Sequence, residues 1–571
     1  MEYSAVSTIW IMVGTVLIFF MQAGFAMLET GMTRVKNAGN IAMKNLVDYC
    51  IGSVTFWLIG FGIMYGGDGA VLGKIKGVAM ESVYGGGMLP DGIPFWAFLI
   101  FQTVFAATAA TIVSGAMAAR TKFAAYCIYS LMISLVIYPI SGHWIWGDGW
   151  LAQLGFHDLA GSTVVHMVGG AAAFAGAWML GPRIGKYSRS GKSKKIPGHS
   201  MPLSVLGIFI LWFGWFGFNG SSVLPLTGDT VSLVGKVFCN TNLSAAAGAV
   251  TAMCISWAWK KKPDIAMTLN GALAGLVSIT AGADVISTPL AVLVGIVAGA
   301  IVVGGMHFIE NVVKIDDPVG AIAAHGFGGL WGTAAVGLFS DGTATKTKGL
   351  LLGGGGYQCG IQILGGIVVF LYVFAASALL FKIVQKTIGL RVSAEDEMDG
   401  LDISEHGFSN TYTEVLSSDG ISAPMMNVPK IDGKAFDSPE NAENLNISKV
   451  VIIARKNKLD ALLHAMNDIN VTGVTITDVT GYGIQKGNND KYYRSSDADL
   501  NLLPKVKVEV IVSTVPVSRV VETAEKVLYS GNYGDGKIFV YDVKNVVKVR
   551  TGEVGREALI DESKYCLLYT S

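Results

Sequence analysis

The 571-residue chain is 51% hydrophobic and 15% charged, against about 25% charged in an ordinary soluble domain. Its 42 Lys and Arg balance 42 Asp and Glu, so no electrostatic case for a nucleic-acid partner exists. The mean hydropathy of +0.50 comes from residues 1 to about 390, whose long apolar blocks exclude a single water-soluble globule.

The opening stretch, MEYSAVSTIWIMVGTVLIFF, lacks a basic start and reads as a retained first span rather than a cleaved signal. Eleven apolar segments long enough to span start near residues 7, 43, 93, 123, 161, 202, 239, 266, 286, 320 and 359. The many glycines, 72 in all, suit close approach of membrane helices. Basic residues gather in the odd-numbered connections: Arg34, Lys36 and Lys44; Arg120 and Lys122; Arg183, Lys186, Arg189, Lys192, Lys194 and Lys195; then Lys260, Lys261 and Lys262. The even-numbered ones hold only Lys74, Lys76, Lys236, Lys346 and Lys348. This bias predicts a multi-pass protein of the cell's inner (plasma) membrane, with its N-terminus outside and its C-terminal part in the cytoplasm. The six cysteines (Cys50, Cys127, Cys239, Cys254, Cys359, Cys566) show no paired or metal-type spacing and read as small apolar core residues.

Two stretches repeat one costly pattern. In HDLAGSTVVHMVGG, Asp158 precedes His166 by eight residues; in DDPVGAIAAHGFGG, Asp317 precedes His325 by eight. The two segments enter the membrane from opposite sides. Eight residues of helix carry each histidine about 12 Å inward, toward the midplane of a core about 30 Å thick. The first five and next five spans therefore read as an inverted 5+5 repeat with a path between the halves. Ionisable groups inside a membrane are functional by default. A neutral imidazole donates from one ring nitrogen and accepts at the other. Two facing histidines can share a proton, yet they suit a permanent cation poorly at low dielectric. Asp317 reads as a helix cap; Asp158 reads equally as a cap or as a residue with a direct role.

FHDLAGSTVVHMVGG, DDPVGAIAAHGFGGLWG, FQTVFAATAATIVSGAMAAR and GWFGFNGSS resemble the Amt/Rh ammonium transporter family, on its Amt side, over nearly all of residues 1–407. The resemblance implies an outer recruitment site for ammonium at Phe105, Trp146 and Ser222 with Asp158 beside it. It implies an apolar gate of Phe105 and Phe218, and lumen histidines at His166 and His325. It further implies a homotrimer in membrane lipid with one pore per subunit. It also implies that ammonium is deprotonated there, with ammonia and the proton crossing by separate routes.

Residues 1–391 form the channel domain in this reading, and 392–412 a cytoplasmic C-terminal region in which Asp402 and His406 are ordered. Residues 413–446 are polar, with Gly, Pro, Ser and Asn, and read as a linker. Over 447–560 the pattern changes to strand–helix–strand–strand–helix–strand, an α+β ferredoxin-like expectation. Residues 561–571 form a tail. GYGIQKG, LPKVKVEVIV and GNYGDGKIFVYDVKNVVKVRTGE resemble the PII signal-transduction family. That implies an adenine nucleotide, ATP or ADP, as effector between subunits of a trimer, at Thr475, Gly483, Gln485, Ser530, Gly534, Gly536, Lys537, Lys548 and Arg550. It implies 2-oxoglutarate with magnesium at Gln485 and Lys505, and a pore-plugging T-loop between Gln485 and Leu503 carrying Arg494. The loop is one residue longer than usual, and Asp497 and Ala498 stand where a modifiable Tyr is common. Ile484 replaces the usual Arg, and Lys548 stands where Arg is common, which leaves ATP against ADP open. No catalytic constellation or metal-ligand cluster emerges from the sequence. The expected function is ammonium transport regulated by the attached domain; an ammonium sensor with little flux is the other reading.

Overall fold

The structure is a computed structural model that describes residues 3–67, 69–85, 89–188, 190–407, 447–471, 473–481, 503–531, 535–549 and 552–559. It divides into two compact units, Met1–Ser417 and Ser418–Ser571.

Ten helices of the first unit, among the described residues, are long and apolar enough to cross a membrane. They are α1 (Ala5–Met32), α2 (Val35–Tyr65), α3 (Phe95–Ala116), α4 (Phe123–Leu154), α5 (Ser162–Leu180), α6 (Met201–Gly220), α7 (Asp229–Lys260), α9 (Thr288–Val313), α10 (Ile322–Phe339) and α11 (Tyr357–Thr387). The remaining expected span is shorter: α8 covers only Ile265–Ile279, about 22 Å of helix. It then breaks into turns, and Ala281 meets the Leu159–Ser162 turn. There the Leu159 N–H donates to the Ala281 carbonyl (3.0 Å), and the Ala281 N–H donates to Ser162 Oγ (2.7 Å).

Glycine sets how closely the two histidine-bearing helices cross. A Cβ at Gly170 of α5 would lie 2.3 Å from the backbone nitrogen of Gly326 in α10, so neither helix could approach the other with a larger residue there. Both helices open with a π-helical turn, Ser162–Met167 and Ile322–Phe327, a form common at functional sites.

Two sequence expectations need correction. Lys44, Arg120, Arg183 and Lys186, counted as loop cations, are buried inside the protein. Cys50, Cys239 and Cys254 are exposed rather than core residues; they sit on outward faces of spanning helices, where a small apolar side chain is tolerated as readily as in a core.

Short helices α12 (Ala394–Asp399) and α13 (Leu401–His406) follow α11 and cover the polar start of α2. Asp402 accepts from the N–H groups of Gly39 (3.1 Å) and Asn40 (2.8 Å), supplying the end of α2 with its missing acceptors. His406 Nε2 lies 3.0 Å from Asn40 Nδ2. The 413–446 linker and the 561–571 tail lie outside the described residues.

The second unit runs β1 (Ser448–Arg455), α14 (Leu459–Asp468), β2 (Val474–Gly481), β3 (Leu503–Val512), α15 (Val517–Leu528) and β4 (Lys537–Asp542). Its antiparallel sheet has the order β2-β3-β1-β4, with Val450 opposite Val510 and Val540. Val450, Ile452, Val506, Val508 and Val510 fill one core with Leu462, Met466, Val520 and Ala524 of the two helices.

Candidate functional site

The two Asp–His stretches have the same local construction. Asp158 Oδ1 accepts from the N–H groups of Gly161 (2.7 Å) and Ser162 (3.1 Å), and Oδ2 from Thr163 (2.8 Å) and Val164 (3.1 Å). Asp317 accepts from Val319 (3.3 Å) and Gly320 (3.0 Å) on Oδ1, and from Ile322 (2.7 Å) on Oδ2. Each carboxylate satisfies the unpaired donors of a helix start. Burial pushes both carboxyls up from the usual aspartate range, and the N–H groups hold them back. Three residues after each Asp stands a left-handed glycine, Gly161 (φ 110°) and Gly320 (φ 82°), where a side chain would be strained. The π-helical turn then delivers the histidine.

These turns bring His166 and His325 together, with Nδ1 to Nδ1 at 3.3 Å and rings 5.3 Å apart at 23°. Both are buried. At that distance one Nδ1 donates and the other accepts, so the pair holds a shared proton. Charging both rings would set like charges side by side. His166 stacks on Trp215 (4.8 Å, 18°), which is fixed by an Nε1–H bond to Thr280 Oγ1 of 2.8 Å.

An aromatic column stands on His166. Phe218 lies 5.3 Å away, Phe105 packs 4.3 Å from Phe218, and Trp146 meets Phe105 edge-on at 5.7 Å. Phe105 and Phe218 are sealed from solvent while Trp146 is half-buried. Trp146 Nε1–H donates to the Asp158 carbonyl (2.7 Å), so Asp158 holds the ring as well as the turn. Ser222 is half-buried at the end of α6, with its hydroxyl on the Phe218 carbonyl (2.8 Å).

The predicted nucleotide residues that the structure describes are separated within one chain. Ser530 is joined to Asp535, the neighbour of Gly536: Asp535 accepts from the Ser530 N–H (2.6 Å) and hydroxyl. Those two bonds and nearby Arg455 hold the Asp535 carboxyl below its usual range. Lys537 begins β4 at one edge of the sheet, and Thr475 lies on β2 at the other, about 14 Å across three strand spacings. Lys505 sits on β3 opposite Arg455 and Val479. Lys548 pairs with Glu553 at 3.4 Å. The lysines are donors of the kind phosphate takes. Gly483, Gln485, Arg494, Gly534 and Arg550 lie outside the described residues.

A family model described as the Ammonium Transporter Family matches residues 9–411. The chain belongs to the ammonium transporter family. It also carries a nitrogen regulatory protein P-II domain, matched over residues 447–553. Ammonium transporter Amt2 of Archaeoglobus fulgidus is 47% identical over 418 residues, covering 70% of this chain and 87% of that one. A putative ammonium transporter of Synechocystis, sll1017, is 42% identical over 73% of this chain and 91% of that protein. Among solved structures, one titled "Sensor Amt Protein" matches with 40% identity and a TM-score of 0.65, over 70% of this chain and 98% of that one. Candida albicans Mep2 matches with 27% identity and a TM-score of 0.61, over 69% and 87%.

In this ammonium transporter family chain, sequence reasoning missed three groups. Trp215 stacks on His166 and is held by Thr280, and their signal was the tryptophan inside the quoted GWFGFNGSS. Glu29 lies buried near the end of α1; a lone carboxylate in an otherwise apolar first span was the available signal. Lys44 and Asp48 stand behind it on α2, also buried.

Proposed function

We propose that this protein moves ammonium or ammonia across the cell's inner membrane, through one path in each subunit of a homotrimer, with eleven spans and the N-terminus outside. The observation that carries this reading is the buried His166–His325 pair beneath the Trp146–Phe105–Phe218 column. Aromatic faces attract a cation by about 0.5–2 kcal/mol. Ammonium gathered at Trp146, Phe105 and Ser222 meets a sealed apolar gate, then a neutral imidazole pair that disfavours a charge. Loss of a proton lets ammonia continue along the histidines.

The P-II domain then acts as a tethered regulator. Thr475 and Lys537 stand at opposite sheet edges, so a site using both needs a second copy, which supports a trimer with nucleotide between subunits. Lys537 and Lys548 would hold phosphates of ATP or ADP, and Gln485 with Lys505 would serve 2-oxoglutarate and magnesium. In this reading the loop bearing Arg494 plugs or frees the pore with nucleotide state. The sheet order β2-β3-β1-β4 with two helices supports the ferredoxin-like reading.

Ammonium-evoked current in proteoliposomes tests both halves of the proposal. The full chain and one ended after Gly407 would be compared with and without ATP, ADP and 2-oxoglutarate. Current in both, with nucleotide control in the full chain alone, is expected. The relative titled a sensor favours a second reading, in which ammonium binding signals through the P-II domain with little flux. Absence of current in both chains, with ammonium still bound, would establish that reading instead.

A further inference from the structure

Glu29 and His325 line one small cavity. Its other walls are apolar, among them Phe25, Leu28, Ile112 and Val319. The cavity of about 10 Å³ is close to the smallest that holds one water. A water there has two polar partners to bridge, the Glu29 carboxyl and the His325 ring. His325 spends Nδ1 on His166, which leaves Nε2 as its second proton site.

Behind Glu29 runs a line of buried polar groups that the aromatic column and histidine pair do not use. Asn45 Nδ2 donates to Glu29 Oε2 at 3.2 Å. Lys44 is fully buried, and among the described residues its Nζ has no hydrogen-bond partner, lying 5.3 Å from the centre of the Tyr126 ring. Asp48 accepts from the Thr111 hydroxyl (2.8 Å) and from Ser130. The charged groups acting on Glu29 are thus Lys44, which attracts a carboxylate, and Asp48, which repels one. A carboxylate and an ammonium held in a membrane interior are expensive. Simple packing would be served better by apolar residues of the same size.

We propose that Glu29 is the acceptor for the proton that ammonium releases in the lumen. An N–H bond of ammonium breaks, an N–H bond forms on the histidine pair, and ammonia is left. The pair then gives up a proton from His325 through one water to a carboxylate oxygen of Glu29. An O–H bond forms there and the imidazole returns to neutral; no electrons change hands. The transfer requires an ionised Glu29, a state that burial opposes and Lys44 favours. The proton thus leaves the ammonia path sideways, between α1 and α2.

This inference rests on the transport reading, and its test separates the two. The full chain would be reconstituted as the parent, as Glu29→Gln and as Glu29→Asp. Charge moved and ammonia moved would be recorded in the same vesicles, by current and by internal pH. Glu29→Gln is expected to lower the ratio of charge to ammonia at least about tenfold, and Glu29→Asp to restore it. An unchanged ratio in Glu29→Gln overturns the proposal, as does an Asp variant that behaves like the Gln variant. Ammonium-induced infrared difference spectra give an independent readout. The parent should gain a protonated-carboxyl band that shifts in Glu29→Asp and vanishes in Glu29→Gln. If the parent moves neither charge nor ammonia, the transport reading fails and the infrared band alone decides Glu29. Its absence from the parent overturns the proposal even where the Gln variant does not fold.

Discussion

The two histidine-bearing turns share a backbone and differ in their surroundings. Each runs from a capping aspartate through a left-handed glycine to a π-helical turn and a histidine. His166 is enclosed by Trp215 and Phe218, whereas His325 faces Phe25 and the cavity it shares with Glu29. The repeated backbone brings two imidazoles into contact, and their surroundings are unequal. One side presents aromatic faces, and the other a carboxyl oxygen. The residues just before the caps differ as well. His157 pairs with Asp284 at 3.1 Å, while Asp316 takes the Arg183 guanidinium through Nε (2.8 Å) and Nη2 (2.9 Å).

The largest expected effect lies at Asp316. Its side chain is fully buried, and Arg120 adds a bond to its carbonyl (2.8 Å). Burial works against the carboxylate, but the Arg183 hydrogen bonds and the Arg120 charge outweigh it and hold the carboxyl well below the usual range. Asp316→Asn should cost about 3–5 kcal/mol at neutral pH, since it strands a buried guanidinium. A lowered pKa gives stability that is present above the ordinary aspartate value of about 3.9 and lost as pH falls through the folded value. Thermal unfolding of parent and variant in detergent should therefore differ most at neutral pH and converge in acid. A difference that persists at low pH would mean that packing, not charge, holds this end.

The caps come next. Asp158 feeds four N–H groups and is 5% exposed, whereas Asp317 feeds three and is half-buried. Asp158→Ala should cost about 3 kcal/mol and Asp317→Ala about 2 kcal/mol, because water can replace part of the second carboxylate. Equal losses in unfolding midpoints would show that the two turns are equivalent in energy as well as in shape.

The equal Asp–His spacing made both turns legible, because caps and π-helical histidines need fixed intervals. Most span starts were also legible from apolar runs. The start of α2 was not. It begins at Val35, while its first turns carry Asn37, Asn40, Lys44 and Asn45. Apolarity places such a stretch in a loop, and Lys44 was accordingly counted there. These polar turns are helical because the segment around Asp402 covers them from far along the chain. A pattern confined to one stretch cannot signal such a partner. The same holds for α8, whose apolar run continues through Ala281 and Ala283 although the helix has already turned to meet the Asp158 cap.

The smallest effect tests the contrast in sign. Burial disfavours a charged His157, but the Asp284 carboxylate beside it outweighs burial and raises the imidazole above its ordinary value. A raised pKa gives stability that is fully present below the ordinary histidine value of about 6.5 and lost as pH rises through the folded value. His157→Gln should therefore remove about 1 kcal/mol in mild acid and nothing in alkali, a modest loss because this pair is not fully enclosed. The two ends would then loosen at opposite extremes: the Asp158 turn in alkali as His157 loses its charge, the Asp317 turn in acid as Asp316 loses its own. Paired melting curves of His157→Gln and Asp316→Asn across pH measure this directly. Curves that bend the same way would mean that the neighbours of the two caps are as alike as the caps themselves, and the contrast between the two sides would then rest on Glu29 and the aromatic column alone.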